Sequence, residues 1–170
     1  EEEIYVEQDP ETQIEIRNRP FMCLGIDEDQ QRLSNFLCFL RRDCIEVFRA
    51  QPIDVYVRRR SKKIVHDQVG IRCRFCAHLS PSRRLGRSSS FPSSIDRIYQ
   101  SVTMMIREHF SRCQKLPNET RERYTELKWM TNEGEIESKS HWIESAKAIG
   151  MVDTEKGIFQ NKPIQLTVPT

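Results

Sequence analysis

Apolar residues between positions 27 and 50 recur every three or four residues, which is the spacing of an amphipathic helix. Asp27 or Asp29 can cap the start of this helix, and Pro52 ends it because proline has no amide hydrogen to donate. The pattern therefore predicts one helix that ends near residue 50 and buries a single stripe, made of Leu33, Phe36, Leu37, Leu40, Cys44, Val47 and Phe48.

A second apolar stripe with helical spacing covers the stretch from 95 to 113. Its members are Ile95, Ile98, Tyr99, Val102, Ile106, His109 and Cys113. Ser93 or Ser94 suits the N-cap position, and Asp96 lies in the first turn, where the helix dipole favours an acid. The pattern predicts a helix on which His109 and Cys113, four residues apart, point from the same face.

The remaining periodic segments are shorter and are bounded by proline, glycine and other turn residues. They predict helices over 118–130 and 140–150, a strand over 64–75, a hairpin over 152–159, a weak strand over 13–17, and either a strand or a helical turn over 53–57. We therefore expect an α+β fold in which a β-hairpin packs on three to four helices. The expected domain spans 27–159, between an acidic N-terminal arm at 1–26 and a C-terminal tail at 160–170.

The composition predicts a hydrophobic core of modest size for this domain. Of 170 residues, 37% are hydrophobic and 31% are charged, so a bound metal would strengthen the fold. No apolar run approaches the roughly 18 residues of a membrane span, and no secretory signal is found, so we expect neither. Because the first residue is Glu1, we expect the chain to be an excised or processed fragment.

Cys73, Cys76, His109 and Cys113 follow the spacing C-x2-C, a gap of 32 residues, then H-x3-C. The first pair suits a tight turn on a β-hairpin, and the second pair continues the helical stripe. Three sulfurs and one imidazole are typical of a closed tetrahedral site, so the pattern predicts a structural zinc ion. His78, close to the first pair, is an alternative ligand. The alternative to any metal is that the four are ordinary strand and helix residues.

The motifs of metal-dependent and nucleophilic catalysis are absent from the sequence. It contains no H-E-x-x-H, no H-x-E ahead of a C-x-x-C, and no G-x-S-x-G. Glu108 precedes His109 but points about 100° away around a helix, which keeps it from acting as a base at that metal. We therefore expect a non-enzymatic protein without a small-molecule substrate.

Six cysteines would suggest three disulfide bonds in a secreted protein. Three of them belong to the predicted metal site, and Cys23, Cys38 and Cys44 have apolar or amphipathic surroundings. Cys44 falls on the first helical stripe and Cys38 beside it, which favours core packing. Reduced cysteines of an intracellular protein are therefore the expected state.

Charge is segregated along the chain, although the net charge is only +2. Residues 1–15 carry seven acids and no base, whereas residues 58–87 carry ten bases and one acid, Asp67. A dense basic segment around a zinc turn predicts a surface that binds the phosphates of DNA or RNA. The predicted contacts are Arg58, Arg59, Arg60, Lys62, Lys63, Arg72, Arg74, Arg83, Arg84 and Arg87. The alternatives are a solvated loop, a partner for the acidic arm or for an acidic protein, and a nuclear import signal.

Three segments resemble a large family of uncharacterised proteins predicted from algal genomes: QVGIRCRFCAH (68–78), SSSFPSSIDRIYQSVTMMIREHF (88–110) and SKSHWIESAKAIGMVDTEKGI (138–158). The resemblance extends from about residue 29 to residue 159. It implies a shared zinc-supported domain with metal ligands at Cys73, Cys76, His109 and Cys113. It implies no activity, because none is assigned to that family.

The predicted function is that of a non-enzymatic zinc-binding module whose basic surface around 58–87 binds nucleic acid. Tyr56, Phe75 and Phe91 are candidates for stacking on bases, although aromatic residues beside strands more often belong to the core. The alternative function is an adaptor that docks on acidic protein partners as a subunit of a larger assembly. The basic segment favours an intracellular, nuclear location.

Overall fold

The computed structural model describes residues 10–57, 63–130, 139–163 and 165–167. Its main sheet is antiparallel, with four strands in the order β1-β2-β3-β4. The strands are β1 (Met22–Cys23), β2 (Ile45–Arg49), β3 (Val69–Cys73) and β4 (Ser89–Ser90). In the central pair, Ile45 lies opposite Cys73 and Arg49 lies opposite Val69. The first predicted ligand therefore ends a central strand.

Helices precede, interrupt and follow the strands. They are α1 (Pro10–Asn18), α2 (Asp29–Arg32), α3 (Asn35–Phe39), α4 (Pro52–Val57), α5 (Ile98–Met105), α6 (Asn118–Met130) and α7 (Lys139–Ala148). Two of them continue into π-helical turns, α3 at Leu40–Cys44 and α5 at Ile106–Phe110. A 3₁₀ turn at Ile95–Arg97 precedes α5. A hairpin of β5 (Met151–Thr154) and β6 (Gly157–Gln160) follows α7.

One large apolar cluster joins the sheet to the helices and includes Cys73, Cys76 and Cys113. A smaller cluster under α4 contains Phe48, Ala50, Ile64 and Phe91. The combination of antiparallel sheet and packed helices confirms the predicted α+β class. The candidate metal residues therefore lie inside the main core rather than on an appended loop.

The predicted single helix over 27–50 is wrong. The helix α2 ends at Arg32, and α3 begins anew after Ser34, whose hydroxyl accepts a hydrogen bond from the Leu37 amide at 3.3 Å. From Ile45 the chain is strand β2, which pairs with β1 on one side and β3 on the other. A strand buried in the middle of a sheet can be apolar on both faces, so its residues also fit a helical stripe. Pairing with two neighbours decides between the two structures.

Two smaller predictions also need correction. The segment predicted as a weak strand over 13–17 belongs to helix α1. The strand predicted over 64–75 is confined to Val69–Cys73. Of the two alternatives for 53–57, the helical one is correct: it is α4, and Pro52 is its first residue, where the missing amide hydrogen costs no hydrogen bond.

The helix predicted from residue 95 begins as expected but is capped differently. Ser94 is extended and occupies the N-cap position, yet its hydroxyl donates to the Asp96 carboxylate. The Ile95 amide instead donates to the carboxylate of Asp153 in β5, at 2.8 Å. The hairpin β5–β6 therefore anchors the start of the helix that leads to His109.

The predicted helices over 118–130 and 140–150 and the predicted hairpin over 152–159 are confirmed. The helices α6 and α7 and the hairpin β5–β6 lie where the pattern placed them. Tyr124 is buried and Leu127 packs against the core. Gly150 follows α7 with φ +97°, a conformation that glycine adopts without strain. Residues 131–138, between α6 and α7, lie outside the described residues.

Parts of both predicted appendages contact the domain. Strand β1 belongs to the predicted arm and pairs with β2. Phe21 exchanges backbone hydrogen bonds with Thr167 of the predicted tail, at 3.0 and 2.6 Å. Residues 1–9 of the acidic arm lie outside the described residues.

Two of the cysteines outside the predicted metal site, Cys38 and Cys44, behave as core residues. Cys44 is fully buried, and Cys38 is half-buried against the same cluster, as predicted. Among the described residues, no two cysteines form a disulfide bond. Within the described residues, no helix is both long and apolar enough to cross a membrane.

Candidate metal centre

Cys73 and Cys76 meet because the chain turns immediately after β3. The Cys76 amide donates to the Cys73 carbonyl at 3.2 Å, and the Leu79 amide donates to the Cys76 carbonyl at 3.0 Å. These two turns direct both thiols into the core, where Cys73 is 1% exposed and Cys76 is 2% exposed. The structure therefore contains the tight turn that the C-x2-C spacing predicts.

His109 and Cys113 meet by a different route from the one predicted. His109 lies in the π-helical turn that ends at Phe110. Ser111 and Arg112 then form a turn in which the Arg112 amide donates to the His109 carbonyl at 2.9 Å. Cys113 thus lies beyond the helix, so the prediction that both residues sit on one helical face is wrong. The turn nevertheless brings the two side chains to the same point.

The four ligand atoms of Cys73, Cys76, His109 and Cys113 all lie within 4.8 Å of one another. The Cys76 sulfur is 3.5 Å from the Cys113 sulfur and 3.7 Å from His109 Nε2. In a tetrahedral zinc site, two sulfurs lie about 3.8 Å apart, and a sulfur and a nitrogen about 3.5 Å apart. The cluster is therefore close to the size that one bound metal ion requires, and these residues could hold one.

A backbone carbonyl orients the imidazole of His109. The Gly86 carbonyl lies 3.3 Å from His109 Nδ1, on the side of the ring away from the sulfurs. A hydrogen on Nδ1 leaves the lone pair of Nε2 for a metal, which is the usual arrangement around metal-binding histidines. The loop that carries Gly86 therefore supports the ligand set from outside.

The environment sets the proton affinities of the three thiols. Burial raises the pKa of Cys73, and its contacts with Cys113 and Cys76 raise it further. The hydrogen-bond contact with Cys113, followed by burial, raises the pKa of Cys76 to about 12. The pKa of Cys113 is lowered because Cys73 and Cys76 both hydrogen-bond to its sulfur. Because metals bind thiolates, a metal ion would displace protons from Cys73 and Cys76, the two thiols whose pKa values are raised.

The alternative ligand His78 is not part of the cluster, which contains only the four predicted residues. His78 is exposed, and its pKa is lowered mainly by partial burial and then by the nearby charge of Lys115. Glu108 also points elsewhere, because its carboxylate pairs with Arg87 Nε at 2.8 Å. Neither residue is placed to act at the metal centre.

Two of the predicted nucleic-acid contacts, Arg72 and Arg74, lie over aromatic rings of the domain. Arg74 is 6% exposed, lies 4.2 Å over the Phe21 ring and donates to the Asp43 carbonyl at 3.2 Å. Arg72 pairs with the buried Glu46 carboxylate and lies 4.2 Å over the Phe48 ring. Arg74 therefore lies away from the surface on which a nucleic acid would bind, and Arg72 is only partly exposed.

The loop after the cysteine turn carries three further predicted contacts. Arg84 donates to the carbonyls of Leu79 and Ala77, at 2.8 and 3.1 Å, and so holds the loop against the turn. Arg83 is exposed, and Arg87 remains 58% exposed while it pairs with Glu108. Lys63 is exposed. The other predicted contacts, Arg58, Arg59, Arg60 and Lys62, lie outside the described residues.

The aromatic residues considered for base stacking divide into two groups. Phe75 and Phe91 are buried, at 2% and 4% exposure, and belong to the core. Tyr56 is 61% exposed on α4.

Two supporting contacts of the metal site could not be predicted from the sequence. They are the contact of the Gly86 carbonyl with His109 and the bonds of Arg84 to main-chain carbonyls of the loop. Residue spacing does not reveal which main-chain carbonyls accept hydrogen bonds.

Comparison with protein-family models, with curated proteins and with solved structures finds no match for this chain. The assignment of a metal centre therefore rests on the geometry of the four residues. The resemblance to the algal proteins stays a prediction.

Proposed function

We propose that the protein is a non-enzymatic module whose fold is held by one structural zinc ion at Cys73, Cys76, His109 and Cys113. The observation that carries this proposal is the burial of all four ligands, none of which is more than 2% exposed. A catalytic zinc keeps a coordination position open for water or substrate, whereas a buried set of four protein ligands fills the tetrahedron. Soft thiolates with one imidazole also favour zinc over magnesium or calcium.

The zinc proposal is tested by metal content and folding together. We expect one zinc per chain by native mass spectrometry, and loss of the cooperative melt when a chelator removes it. Cys113→Ala should abolish both zinc binding and the cooperative melt. Cys38→Ala is the matched control, because Cys38 is half-buried in the same core but lies outside the cluster. A metal-free wild-type chain with an unchanged melt would contradict the proposal.

The resemblance to algal proteins is part of the same proposal. The segments 68–78 and 88–110 contain Cys73, Cys76 and His109. The segment 138–158 contributes α7 and Asp153, which binds the start of the helix that leads to His109. We infer that the shared segments build one metal-supported domain.

For this domain we further propose nucleic-acid binding through Lys63, Arg83, Arg84 and Arg87, a set called here the loop cations. Three of them lie on the loop that supports the metal centre, since Gly86 contacts His109 and Arg84 holds the loop to the cysteine turn. Zinc would therefore position cations for phosphate contact. The four basic residues of 58–62 extend the same segment in the sequence. The nuclear location rests on that segment as well.

Salt dependence separates this interpretation from its alternatives. A short mixed-sequence DNA duplex should bind with an affinity that falls steeply with salt. Arg83→Glu should weaken binding and reduce the salt slope by about 1. Lys147→Glu, an exposed charge reversal on α7, is the control. Equal effects of the two substitutions, or no binding of DNA or of RNA of the same sequence at low salt, would contradict nucleic-acid binding.

The adaptor alternative has one specific observation in its favour. Ile53, Tyr56 and Val57 on α4 are 52%, 61% and 47% exposed, and Leu85 of the neighbouring loop is 42% exposed. Val57 and Leu85 line the same shallow pocket as Arg84 and Arg87. An apolar patch beside cations suits a protein partner with acidic and apolar side chains. Retention of partner binding in the presence of excess DNA would favour this alternative.

A further inference from the structure

A cleft of about 760 Å³ opens between α6 and the end of the helix that carries His109. Its deepest residues are aromatic or aliphatic: Phe36, Phe110, Leu116 and Tyr124 are each at most 6% exposed. The Phe36 and Tyr124 rings meet edge to face at 5.2 Å, and the Phe110 and Tyr124 rings lie 6.1 Å apart. The cleft thus has a preformed aromatic base of the kind that binds small ligands.

An exposed tryptophan lines the open side of the cleft. Trp129 lines it and is 84% exposed, more than any other large hydrophobic side chain in the described part of the chain. Trp142, the second tryptophan of the sequence, is buried at 2% exposure. An indole gains stability when an apolar group covers it, so Trp129 is placed to close over a ligand seated on the aromatic base.

The charged residues that line the cleft are both cations, Arg121 and Lys128. Arg121 Nη2 donates to the Cys113 carbonyl at 2.6 Å, which holds the guanidinium in place and leaves its other N–H donors for a ligand. Lys128 Nζ lies 5.7 Å from the centre of the Tyr124 ring. Both side chains therefore place a positive charge beside the aromatic rings.

The acids of α6 are segregated from this side of the helix. At about 100° per residue, Glu119, Glu122 and Glu126 lie about 160° to 220° around the axis from Tyr124. Arg121 and Lys128 lie within about 60° of it. The charges that α6 presents to the cleft are therefore positive, and a ligand of opposite charge is favoured.

We propose that this cleft binds a small amphipathic anion, which consists of an aromatic or branched apolar body and one carboxylate, sulfonate or phosphate group. The body lies on Phe36, Phe110 and Tyr124 beneath Trp129, and the anionic group accepts hydrogen bonds from Arg121 and Lys128. The volume is within the range of about 300–1,000 Å³ in which proteins bind such ligands. The site is separate from the loop cations and from the metal ligands themselves.

The test uses two matched probes on the folded, metal-loaded chain. The first is 8-anilinonaphthalene-1-sulfonate, an aromatic anion that fluoresces in apolar sites, and the second is N-phenyl-1-naphthylamine, its uncharged analogue. We expect saturable binding of one sulfonate per chain and binding of the amine that is weaker by about tenfold, because only the sulfonate pairs with the cations. Absence of saturable sulfonate binding, or equal affinity for both probes, would overturn the proposal.

Substitutions locate the site. Lys128→Glu and Trp129→Ala should each weaken sulfonate binding by about tenfold. Met130→Ala and Lys147→Glu are the controls, because both residues are exposed and neither lines the cleft. The thermal melt of each variant shows that it is folded. Binding that Lys128→Glu and Trp129→Ala leave unchanged would place the probe elsewhere and refute the assignment.

Discussion

Arg41 and Asp29 form a buried ion pair in which Arg41 Nε donates to Asp29 Oδ2 at 2.8 Å, with both side chains at most 4% exposed. The guanidinium also donates to the second oxygen of Asp29 at 3.1 Å. His141 Nε2 lies 2.7 Å from that same oxygen, and the Ser145 hydroxyl accepts from Arg41 at 3.0 Å. The pair therefore joins α2, the first π-helical turn and α7.

Removal of one charge from this pair should be costly. Asp29→Asn leaves the Arg41 guanidinium buried against a neutral amide, and we expect the free energy of unfolding to fall by about 3–5 kcal/mol. Asp43→Asn is the matched control, because the Arg42–Asp43 pair is 57% and 40% exposed, and an exposed pair contributes about 1 kcal/mol or less. Urea unfolding of both variants measures the difference. Equal losses would show that the buried pair has no special role.

Gly70 is predicted to tolerate no side chain. A Cβ at this position would lie 2.8 Å from a ring carbon of Phe48 and 2.8 Å from one of Phe91, whose rings pack edge to face. Gly70→Ala should therefore lower the free energy of unfolding by about 1–3 kcal/mol through overpacking.

The glycine in the supporting loop provides the comparison. A Cβ at Gly86 would meet nothing within 4 Å. Gly86→Ala should change stability by less than about 1 kcal/mol, and in the stabilising direction because alanine restricts the unfolded chain. Chemical unfolding of both variants gives the result, and a Gly70→Ala protein as stable as the wild type would disprove the close packing around β3.

Metal affinity should rise with pH. The pKa of Cys73 is raised by burial, and that of Cys76 is raised to about 12 by the contact with Cys113, so both thiols are protonated in the metal-free protein at neutral pH. The pKa of Cys113 is lowered by its hydrogen bonds with Cys73 and Cys76, so Cys113 is the first of the three sulfurs to ionise. Because metals bind thiolates, each ion displaces two protons, and the binding constant should rise about a hundredfold per pH unit.

The stability of the metal-free fold also depends on pH. The raised pKa values of Cys73 and Cys76 stabilise the folded apo chain below the ordinary thiol pKa of about 8.5, and this contribution is lost as the pH rises above it. The lowered pKa of Cys113 acts the other way, because its contribution to stability is lost as the pH falls below that value. Zinc titrations against a coloured chelator at several pH values measure the first effect. A binding constant that does not change between about pH 7 and 8 would contradict the assigned protonation states.

The metal residues were predictable because each pair is local in sequence. Cys73 and Cys76 need only a turn after a strand, and four residues separate His109 from Cys113. His109 and Cys113 come together as predicted although Cys113 lies beyond the helix. A turn, like a helix, can bring two residues that are four positions apart to the same side. That the two pairs meet depends on the packing of both segments into one apolar core, which spacing alone does not establish.

The rest of the fold depends on contacts between distant residues. Strand β2 fits a helical stripe equally well until β1 and β3 pair with it. Asp29 and His141 are 112 residues apart, and no local pattern marks their contact. Arg74 is placed in the predicted basic surface by its position in the sequence, whereas the sheet directs it onto Phe21. These outcomes follow from tertiary structure.

X-ray absorption at the zinc edge of the purified chain shows directly which atoms bind the metal. We expect one zinc bound by three sulfurs at about 2.3 Å and one nitrogen at about 2.0 Å, since Cys73, Cys76, Cys113 and His109 fill the tetrahedron. Cys38→Ala should leave the spectrum unchanged. A chain that binds no zinc, or a shell of oxygen and nitrogen ligands without three sulfurs, would contradict a structural zinc site at these four residues.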